Sequence, residues 1–324
     1  MLFFDRRKFL CAATAGAVFG LSRPLEIIPS AWAQGAANPL NPANAKFHKF
    51  KIGDIEVTTV YDGGLLREHK EGFVKNASVD DLKASLRAAK LPDAKVPNTY
   101  TVTIVKVGGR TVMFDAGNGT GRSPNVGLLA ANMKEAGLDP ARLDAIVVTH
   151  FHPDHIFGLY GKDNTPLHPS VEIVVPSAEY GFWADPGVMS KLPKARQGIA
   201  KKVQGAMPKW KNIRQIASGA EVIPGIKAVA THGHSPGHTS YLVTAGSGSM
   251  MVLGDVTSIP PINMRNPGWH IVFDQDAKMA EATRRRTFDQ AVADKIVCTG
   301  YHWGMPGAGT VVKDGNGYAL VPVA

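Results

Sequence analysis

The sequence predicts an α/β fold in which two β-sheets are covered by helices. Short apolar, β-branched segments alternate with segments of helical periodicity along most of the chain. Histidine and aspartate residues recur directly after several of the predicted strands, which is where α/β proteins place their chemistry. The chain has 324 residues, of which 44% are hydrophobic, and this is enough for one large globular core.

Each predicted element has a local reason. The opening segment alternates about an Ile-Gly-Asp-Ile turn, and a Gly-Gly pair joins the next two strands as a hairpin. Gly137 is a stop signal after a segment of helical periodicity. The predicted strands cover residues 47–61, 100–107, 111–114, 145–149, 171–175, 225–230, 240–244, 250–253 and 295–299, and the predicted helices cover residues 124–137, 177–183 and 275–294.

Residues 1–33 have the pattern of an export signal. Paired arginines at Arg6 precede Lys-Phe-Leu, an apolar run rich in Ala and Gly follows, and an Ala-x-Ala site ends at Ala33. We therefore expect a twin-arginine-type signal peptide, cleavage after Ala33, and a periplasmic or secreted protein without further membrane contact. A retained membrane anchor is the alternative. Residues 34–46 are expected to form a flexible arm, and residues 47–324 a single catalytic domain.

Charge and cysteine content set further limits. The formal charge is +9, and removal of residues 1–33, which hold four basic and two acidic side chains, leaves +7. Part of the surplus lies between Lys191 and Arg214 at roughly helical spacing, which indicates a solvated helix face or a contact with nucleic acid or an anionic envelope. Cys11 lies inside the signal and Cys298 is the only other cysteine, so the mature chain forms no internal disulfide.

Residues 149–155 read Thr-His-Phe-His-Pro-Asp-His and predict a metal site. They follow a short apolar strand, so the cluster lies where a buried strand ends and a loop begins. Imidazole and carboxylate oxygen are ligands that zinc accepts, and Pro153 stiffens the turn. The four candidate ligands of this loop are His150, His152, Asp154 and His155.

Three further candidate ligands each follow a later predicted strand. They are His234, within His-Gly-His-Ser-Pro-Gly-His, then Asp255 after Leu-Gly, and finally His302. Singly, each has an ordinary explanation, because aspartate after glycine is a common turn residue and histidine is often exposed. Their recurrence at strand ends predicts a set of seven ligands.

These motifs resemble the metallo-β-lactamase superfamily, whose pattern is a His-x-His-x-Asp-His loop followed in order by a histidine, an aspartate and a histidine. Within it, the chain is most similar to the methyl parathion hydrolase group. That likeness rests on Ile-Gly-Asp-Ile-Glu-Val from Ile52, Phe-Asp-Ala-Gly from Phe114, the two histidine motifs, Leu-Gly-Asp before Val256, and Met-Pro-Gly after His302. The resemblance implies a four-layer αββα sandwich.

The resemblance also implies a role for each matched residue. One metal ion would be held by His150, His152 and His234, and the other by Asp154, His155 and His302. Asp255 would bridge the two ions. His238 would orient a ligand or brace its turn, and Asp115 would support the histidine loop without binding metal.

By the same resemblance, the protein is expected to be a dinuclear hydrolase with two divalent ions, zinc being the expected metal. A hydroxide between the ions would be the nucleophile, and Asp154 and Asp255 would be catalytic through their hold on the metals. The expected substrates are small molecules: uncharged esters, lactones or organophosphate triesters. A homodimer is expected by analogy.

The substrate pocket is predicted from four apolar side chains. Trp183 matches an aromatic position that lines the leaving-group pocket in the methyl parathion hydrolase group, Phe182 and Trp269 lie near predicted loops, and Leu65 would form an entrance wall. Packing in the core explains each of these side chains equally well.

Two alternatives stay open. A quorum-quenching lactonase shares all seven ligands but places a tyrosine three residues after the bridging aspartate, where this chain has Ser258. A nucleic-acid-processing or binding protein on the same fold would suit the basic charge. Export and the lack of a basic platform interleaved with aromatic residues oppose it, so we expect no nucleic-acid partner.

Overall fold

The computed structural model describes residues 40–41, 44–120 and 123–324. The predicted signal peptide, and most of the arm predicted for residues 34–46, lie outside the described residues. Within the described residues, no helix combines the length and the apolar character that crossing a bilayer requires.

The N-terminal half forms a seven-stranded sheet whose strands lie in chain order. Antiparallel hairpins begin the sheet, and parallel pairing follows from β4 to β7. The predicted Gly-Gly hairpin is confirmed, because Gly108 and Gly109 both adopt positive φ, as a two-residue hairpin turn requires. The strands are β1 (Phe47–Ile52), β2 (Ile55–Arg67), β3 (Val96–Val107), β4 (Arg110–Phe114), β5 (Ala145–Val147), β6 (Glu172–Pro176) and β7 (Ile213–Ile216).

The C-terminal half forms a second seven-stranded sheet, again in chain order. Its only parallel pair among the described strands joins β11 to β12, and this pair requires a long crossover. The strands are β8 (Glu221–Ile223), β9 (Ile226–Ala230), β10 (Thr239–Ala245), β11 (Gly248–Val252), β12 (Val297–Thr299), β13 (Ala308–Asp314) and β14 (Gly317–Pro322).

Helices cover the outer faces of both sheets, and the predicted four-layer αββα sandwich is confirmed. Helix α8 carries the β11–β12 crossover and packs on the second sheet through Phe288 and Ala291. The helices are α1 (Val79–Ala88), α2 (Leu129–Glu135), α3 (Pro153–Ile156), α4 (Ser177–Ala184), α5 (Val188–Lys191), α6 (Lys194–Ala206), α7 (Pro260–Asn263) and α8 (Ala277–Asp294).

An apolar core fills the space between the two sheets. Most of the inward side chains of both sheets are β-branched or aromatic, and they alternate with outward ones along each strand. Phe114 of β4 packs on Tyr241 of β10 with ring centroids 5.4 Å apart, so the two sheets meet directly. Fully or almost fully buried members of this core include Ile55, Val57, Val105, Val112, Phe114, Val147, Val174, Ile226, Tyr241, Val243 and Met250.

Several predicted elements differ from the observed ones. The helix predicted for residues 124–137 begins only at Leu129, because Val126 pairs with Gly63 in an isolated bridge and Gly127 has positive φ. The helix end at Gly137, with φ +75°, is as predicted. Helix α1, which starts with a capping box between Ser78 and Asp81, and strands β13 and β14 are not predicted.

Candidate metal centre

Seven side chains converge at one edge of the sandwich, beyond the carboxyl ends of four strands. His150 and His152 follow β5, Asp154 and His155 lie in the first turn of α3, His234 follows β9, Asp255 follows β11, and His302 follows β12. Their ligand atoms form three overlapping groups, each with all atoms within 4.8 Å of one another. The structure therefore brings all seven predicted ligands together.

The first group consists of three histidines. His150 Nε2 lies 2.9 Å from His152 Nδ1, and His152 Nδ1 lies 2.9 Å from His234 Nε2. Burial, and next the neighbouring His155, hold the pKa of His150 well below its usual range. The ring is therefore neutral, which is the form in which imidazole binds metal.

The second group consists of Asp154, His155 and His302. One carboxylate oxygen of Asp154 lies 3.7 Å from His155 Nε2 and 3.4 Å from His302 Nε2. Asp255 lies between the two groups: its Oδ1 is 3.4 Å from His155 Nε2, and its Oδ2 is 3.2 Å from His234 Nε2. Its Oδ2 is also 3.0 Å from His302 Nε2. Asp255 thus faces both groups.

Unpaired polar atoms at the centre fit bound cations. His155 Nε2 and Asp255 Oδ1 are buried without a hydrogen-bond partner, although both residues are almost wholly inaccessible to solvent. Leaving such atoms unpaired is costly unless another group completes them. Neutral imidazoles and carboxylates are ligands for divalent metals, and two such groups with Asp255 between them fit a dinuclear centre.

Most of the ligand histidines are held from behind through the ring nitrogen that faces away from the centre. Such contacts fix the tautomer and the ring orientation of a metal ligand. The partners are Thr149 Oγ1 for His150 at 3.0 Å, Asp115 Oδ2 for His155 at 2.8 Å, the carbonyl oxygen of Thr99 for His302 at 2.7 Å, and Asp274 Oδ1 for His234 at 3.0 Å.

Asp115 supports the histidine loop and lies outside the groups of ligand atoms. Its carboxylate accepts hydrogen bonds from the backbone N–H of Thr149 at 2.7 Å and from the hydroxyl of the same residue. Its φ of +63° is a left-handed conformation that non-glycine residues rarely adopt, and such strain persists only where surrounding contacts enforce it. Here the contacts to Thr149 and His155 do so.

His238 braces the turn that carries Asp255. Its Nε2 accepts a hydrogen bond from the backbone N–H of Asp255 at 3.0 Å, and its Nδ1 lies 2.8 Å from the hydroxyl of Thr231. Burial lowers the pKa of His238 to about 3, so the ring stays neutral. A Cβ on Gly254, whose φ is +56°, would lie 2.9 Å from His238 Nε2, so glycine permits this approach.

Two buried carboxylates near the ligands are not predicted from the sequence. Asp274 links His234 to Arg284, whose Nη2 lies 2.9 Å from the Asp274 carboxylate. Glu179, in α4, accepts hydrogen bonds from both histidine loops. The local signal at Asp274 is only that of a residue before a helix, and Glu179 occupies an ordinary helix position.

A cavity of about 210 Å³ opens onto the ligands. None of the four side chains predicted to line the pocket reaches its wall, which is a correction to that prediction. Trp183 is fully buried and its indole donates to Glu179, Phe182 packs against Trp183, Leu65 packs on the core outside the first sheet, and Trp269 joins a separate cluster. The lining consists of Arg67, Asn98, His152, Pro153, Asp154, Arg196, Ile199, His234, Asp255, Phe273 and His302.

Part of this chain is similar in sequence to N-acyl homoserine lactonases. An N-acyl homoserine lactonase from a Bacillus species is 27% identical over 152 residues, which cover 47% of this chain and 53% of the lactonase. The chain thus spans about half the length of the curated relatives it matches.

Two solved structures share the fold. The dizinc quorum-quenching lactonase AidC superposes with a TM-score of 0.79 at 23% identity, over 86% of this chain and 97% of that one. The hydrolase AbOPH, of the beta lactamase superfamily, superposes with a TM-score of 0.79 at 25% identity, over 86% and 98%. The family model of the metallo-beta-lactamase superfamily matches residues 96–300, a span that includes six of the seven predicted ligands and ends just before His302. The chain therefore belongs to the metallo-beta-lactamase superfamily.

Proposed function

We propose that the protein is a hydrolase that uses two divalent metal ions, with zinc as the expected metal, to cleave uncharged ester, lactone or organophosphate triester groups. The observation that carries the proposal is the position of Asp255 between a group of three histidines and a second group of Asp154, His155 and His302. In this proposal, His150, His152 and His234 would hold one ion, Asp154, His155 and His302 would hold the other, and Asp255 would be a ligand shared by the two groups.

The chemistry follows from what each part supplies. When bound, the two cations polarise the scissile group and lower the pKa of water, so that hydrolysis at neutral pH needs no separate strong base. The chain itself supplies imidazole ligands that are oriented by Thr149, Asp115 and Asp274. The cavity wall positions the substrate beside the ligands, because His152, His234 and His302 are themselves part of that wall.

The subgroup belongs to the proposal as well. The sequence motifs favour an activity like that of methyl parathion hydrolase, and AbOPH, a hydrolase of the beta lactamase superfamily, has the same fold. A quorum-quenching lactonase is the second candidate, since an N-acyl homoserine lactonase matches this chain and the quorum-quenching lactonase AidC has its fold. Among the described residues no tyrosine lines the cavity, and Ser258, at the position where such lactonases place theirs, is buried. This favours the first candidate.

The cellular setting is part of the proposal. Residues 1–33 support export through the twin-arginine route to the periplasm or beyond, with cleavage after Ala33. We further propose a small-molecule substrate, no nucleic-acid partner, and a homodimer.

The test combines metal analysis with a substrate panel. Purified mature protein is expected to contain two equivalents of metal and to hydrolyse at least one of an aryl carboxyl ester, a lactone and a phosphotriester, with activity lost on chelation and restored by zinc. In D255A, the loss of the shared ligand is expected to lower kcat/KM about a thousand-fold, a few kcal/mol of transition-state stabilisation. D314A, at the exposed end of β13, is the matched control.

Two results would contradict the proposal. One is a D255A protein that retains both its metal and its full activity. The other is a wild-type protein that hydrolyses nothing in the panel but binds nucleic acid with a steep salt dependence, which would favour the nucleic-acid alternative.

A further inference from the structure

The cavity beside the metal ligands has a second wall that the proposed reaction does not use. Besides ligands, the cavity is lined by Arg67, Asn98, Arg196, Ile199 and Phe273. Two of these five side chains carry a permanent positive charge, and a third is a buried amide. A wall of this composition is unusual for a pocket that receives only neutral apolar groups, whose lining is mostly hydrophobic.

Arg67 ends strand β2 and turns its guanidinium into the cavity. Its Nη2 makes one long contact, 3.5 Å, to the hydroxyl of Tyr100, and its buried Nε has no hydrogen-bond partner. The guanidinium carbon lies 5.8 Å from the ring centroid of Phe273. The side chain therefore keeps donors for a ligand while the aromatic ring holds it in place.

Arg196 approaches the same point from helix α6. Its Nη2 donates to the carbonyl oxygens of Val272, at 2.5 Å, and Phe273, at 2.9 Å. Neighbouring lysines of this helix, such as Lys194 and Lys201, are exposed, as expected for a solvated helix face. Arg196 instead lines the cavity, so both guanidinium groups gather around Phe273.

Neither cavity arginine forms an ion pair with an acidic side chain of the described residues, although the charge of Asp274 acts on Arg196 from a greater distance. Among the described residues, no carboxylate oxygen lies within 4.0 Å of Arg67 or Arg196, whereas Arg87, Arg214, Arg284 and Arg285 each have such a partner. The carboxylates that line the cavity, Asp154 and Asp255, face the ligand histidines. Two guanidinium groups that have no carboxylate within ion-pair distance, in a partly enclosed site, favour an anionic ligand.

Asn98 supplies an independent sign of a ligand. It is only 3% exposed, its Oδ1 has no hydrogen-bond partner, and its Nδ2 donates to the Tyr100 hydroxyl at 3.1 Å. In the pairing of β2 with β3, Asn98 lies opposite Leu65, two residues from Arg67. Leaving this amide oxygen unpaired is costly in the free protein, and an N–H or O–H group of a ligand would pair with it. The free donors of Arg67 would instead pair with an acceptor of the same ligand.

We infer that the substrate carries a carboxylate remote from the scissile bond, and that Arg67 and Arg196 bind it. This rests on the proposed function and narrows it: the group that is cleaved is uncharged, while another part of the same molecule is anionic. A planar carboxylate suits the fork of a guanidinium. The cavity, at about 210 Å³, is smaller than a drug-sized pocket, so the substrate is small.

A matched pair of esters tests the inference. One is an aryl hemiester of glutaric acid with its distal carboxylate free, and the other is the same compound with that carboxylate capped as a methyl ester. Wild-type holoprotein is expected to prefer the anionic ester about ten-fold or more in kcat/KM, mainly through a lower KM. The preference should shrink as salt is added, because exposed charges are screened.

Substitutions of Arg67 test whether this side chain causes the preference for the anionic ester. R67Q is expected to remove most of the preference, because kcat/KM should fall about ten-fold for the anionic ester and much less for the capped ester. R67K, which keeps the charge but loses the fork, should be intermediate. R110Q makes the same substitution at an exposed arginine of β4 and should leave both esters unchanged. Thermal unfolding of each variant checks that it folds.

The outcomes separate this inference from the proposed function. If the capped ester is cleaved as well as the anionic ester, or if R67Q slows both equally, the proposed function stands and the inference is wrong. If neither ester is cleaved, the proposed function fails for esters. Calorimetry with glutarate then decides the inference, since binding weakened ten-fold by R67Q supports it, and equal binding overturns it.

Discussion

Four histidines of the centre each use their two ring nitrogens differently, one toward the centre and one toward a supporting group. The ligand atoms face inward, and the opposite ring nitrogens of His150, His155, His234 and His302 are each tied to another group. His150 is tied to the hydroxyl of Thr149, which itself donates to Asp115, so a continuous chain of hydrogen bonds runs away from the centre. Orientation is thus built in before any cation binds.

Asp274 is expected to set the metal affinity of the group that contains His234. Its carboxylate accepts from His234 Nδ1 and from Arg284, and Asp274 and Arg284 are almost fully buried. D274N removes the charge that raises the basicity of the histidine, so metal affinity should fall about 10–100-fold. A competition titration with a chromophoric chelator measures this.

The control for D274N lies two residues along the chain. Asp276 caps α8 by accepting from the backbone N–H of Met279, and it is exposed. Since asparagine caps a helix as well as aspartate does, D276N should bind metal like the wild type. Equal metal affinity in D274N and D276N would show that Asp274 does not act through His234.

The sequence patterns predicted the candidate metal ligands but not the residues that support those ligands. The seven ligands follow strands or form one dense motif, so periodicity and spacing together predict that they meet. Asp274 and Glu179 lie 40 and 28 residues from the groups they support, His234 and Phe151. Nothing in their local sequence marks them, because their partners are set by tertiary packing.

At the scale of elements, helix α4 connects the two histidine loops through Glu179. One oxygen of this fully buried carboxylate accepts from the backbone N–H of Phe151, at 2.9 Å, and from the indole of Trp183, at 2.7 Å. The other accepts from Ser235 Oγ and from the backbone N–H of Gly237, both at 2.8 Å. A Cβ on Gly237 would lie 2.0 Å from the backbone nitrogen of Glu179, so glycine permits this contact.

E179Q is expected to loosen both loops at once. Four donors converge on the two oxygens of the carboxylate. In glutamine an NH2 group replaces one of these oxygens, so the two donors that it accepted from lose their acceptor. We expect a loss of about 2–4 kcal/mol in the free energy of unfolding from the unpaired donors, and a weakened metal group around His152 and His234. Urea unfolding and the visible spectrum of the cobalt-substituted protein measure the two effects.

A surface variant provides the comparison for E179Q. Glu172 begins β6 and pairs with Arg214, and both side chains are partly exposed, so E172Q should change stability by less than about 1 kcal/mol and leave the cobalt spectrum alone. If E179Q lost stability but kept the wild-type spectrum and cobalt affinity, Glu179 would be only structural.

The aromatic residues of α4 show why the predicted pocket was wrong. A large ring near a loop satisfies both a pocket and a core, and periodicity does not distinguish them. Trp183 lies in the core, where its indole N–H donates a hydrogen bond to the buried carboxylate of Glu179. The buried position of that carboxylate is set by tertiary contacts, which the local sequence does not show. Two polar side chains that do line the cavity, Arg67 and Asn98, belong to β2 and β3. The predicted strands stopped at residue 61 and began at residue 100, so neither side chain was placed on a strand.

At the scale of the whole molecule, the candidate centre joins the two halves of the sandwich. Four ligands follow β5 of the first sheet, and the other three follow β9, β11 and β12 of the second. The sequence predicted this architecture because strand and helix patterns recur in both halves. The apolar core between the sheets holds them together from within, and the ligands connect them at one edge.

Removal of metal is therefore expected to destabilise the whole domain. A cation that binds only the folded state adds RT ln(1 + [L]/Kd) to the free energy of unfolding, about 2.7 kcal/mol at a hundred-fold excess over Kd. For a domain of roughly this size, each kcal/mol shifts Tm by about 2–4 °C. Chelator-treated protein should therefore unfold roughly 5–10 °C below the zinc-loaded protein in differential scanning calorimetry. H302A, which lacks a ligand from the second sheet, should show a smaller difference. An identical Tm with and without chelator in the wild type, once metal removal has been verified, would mean that no cation links the two sheets.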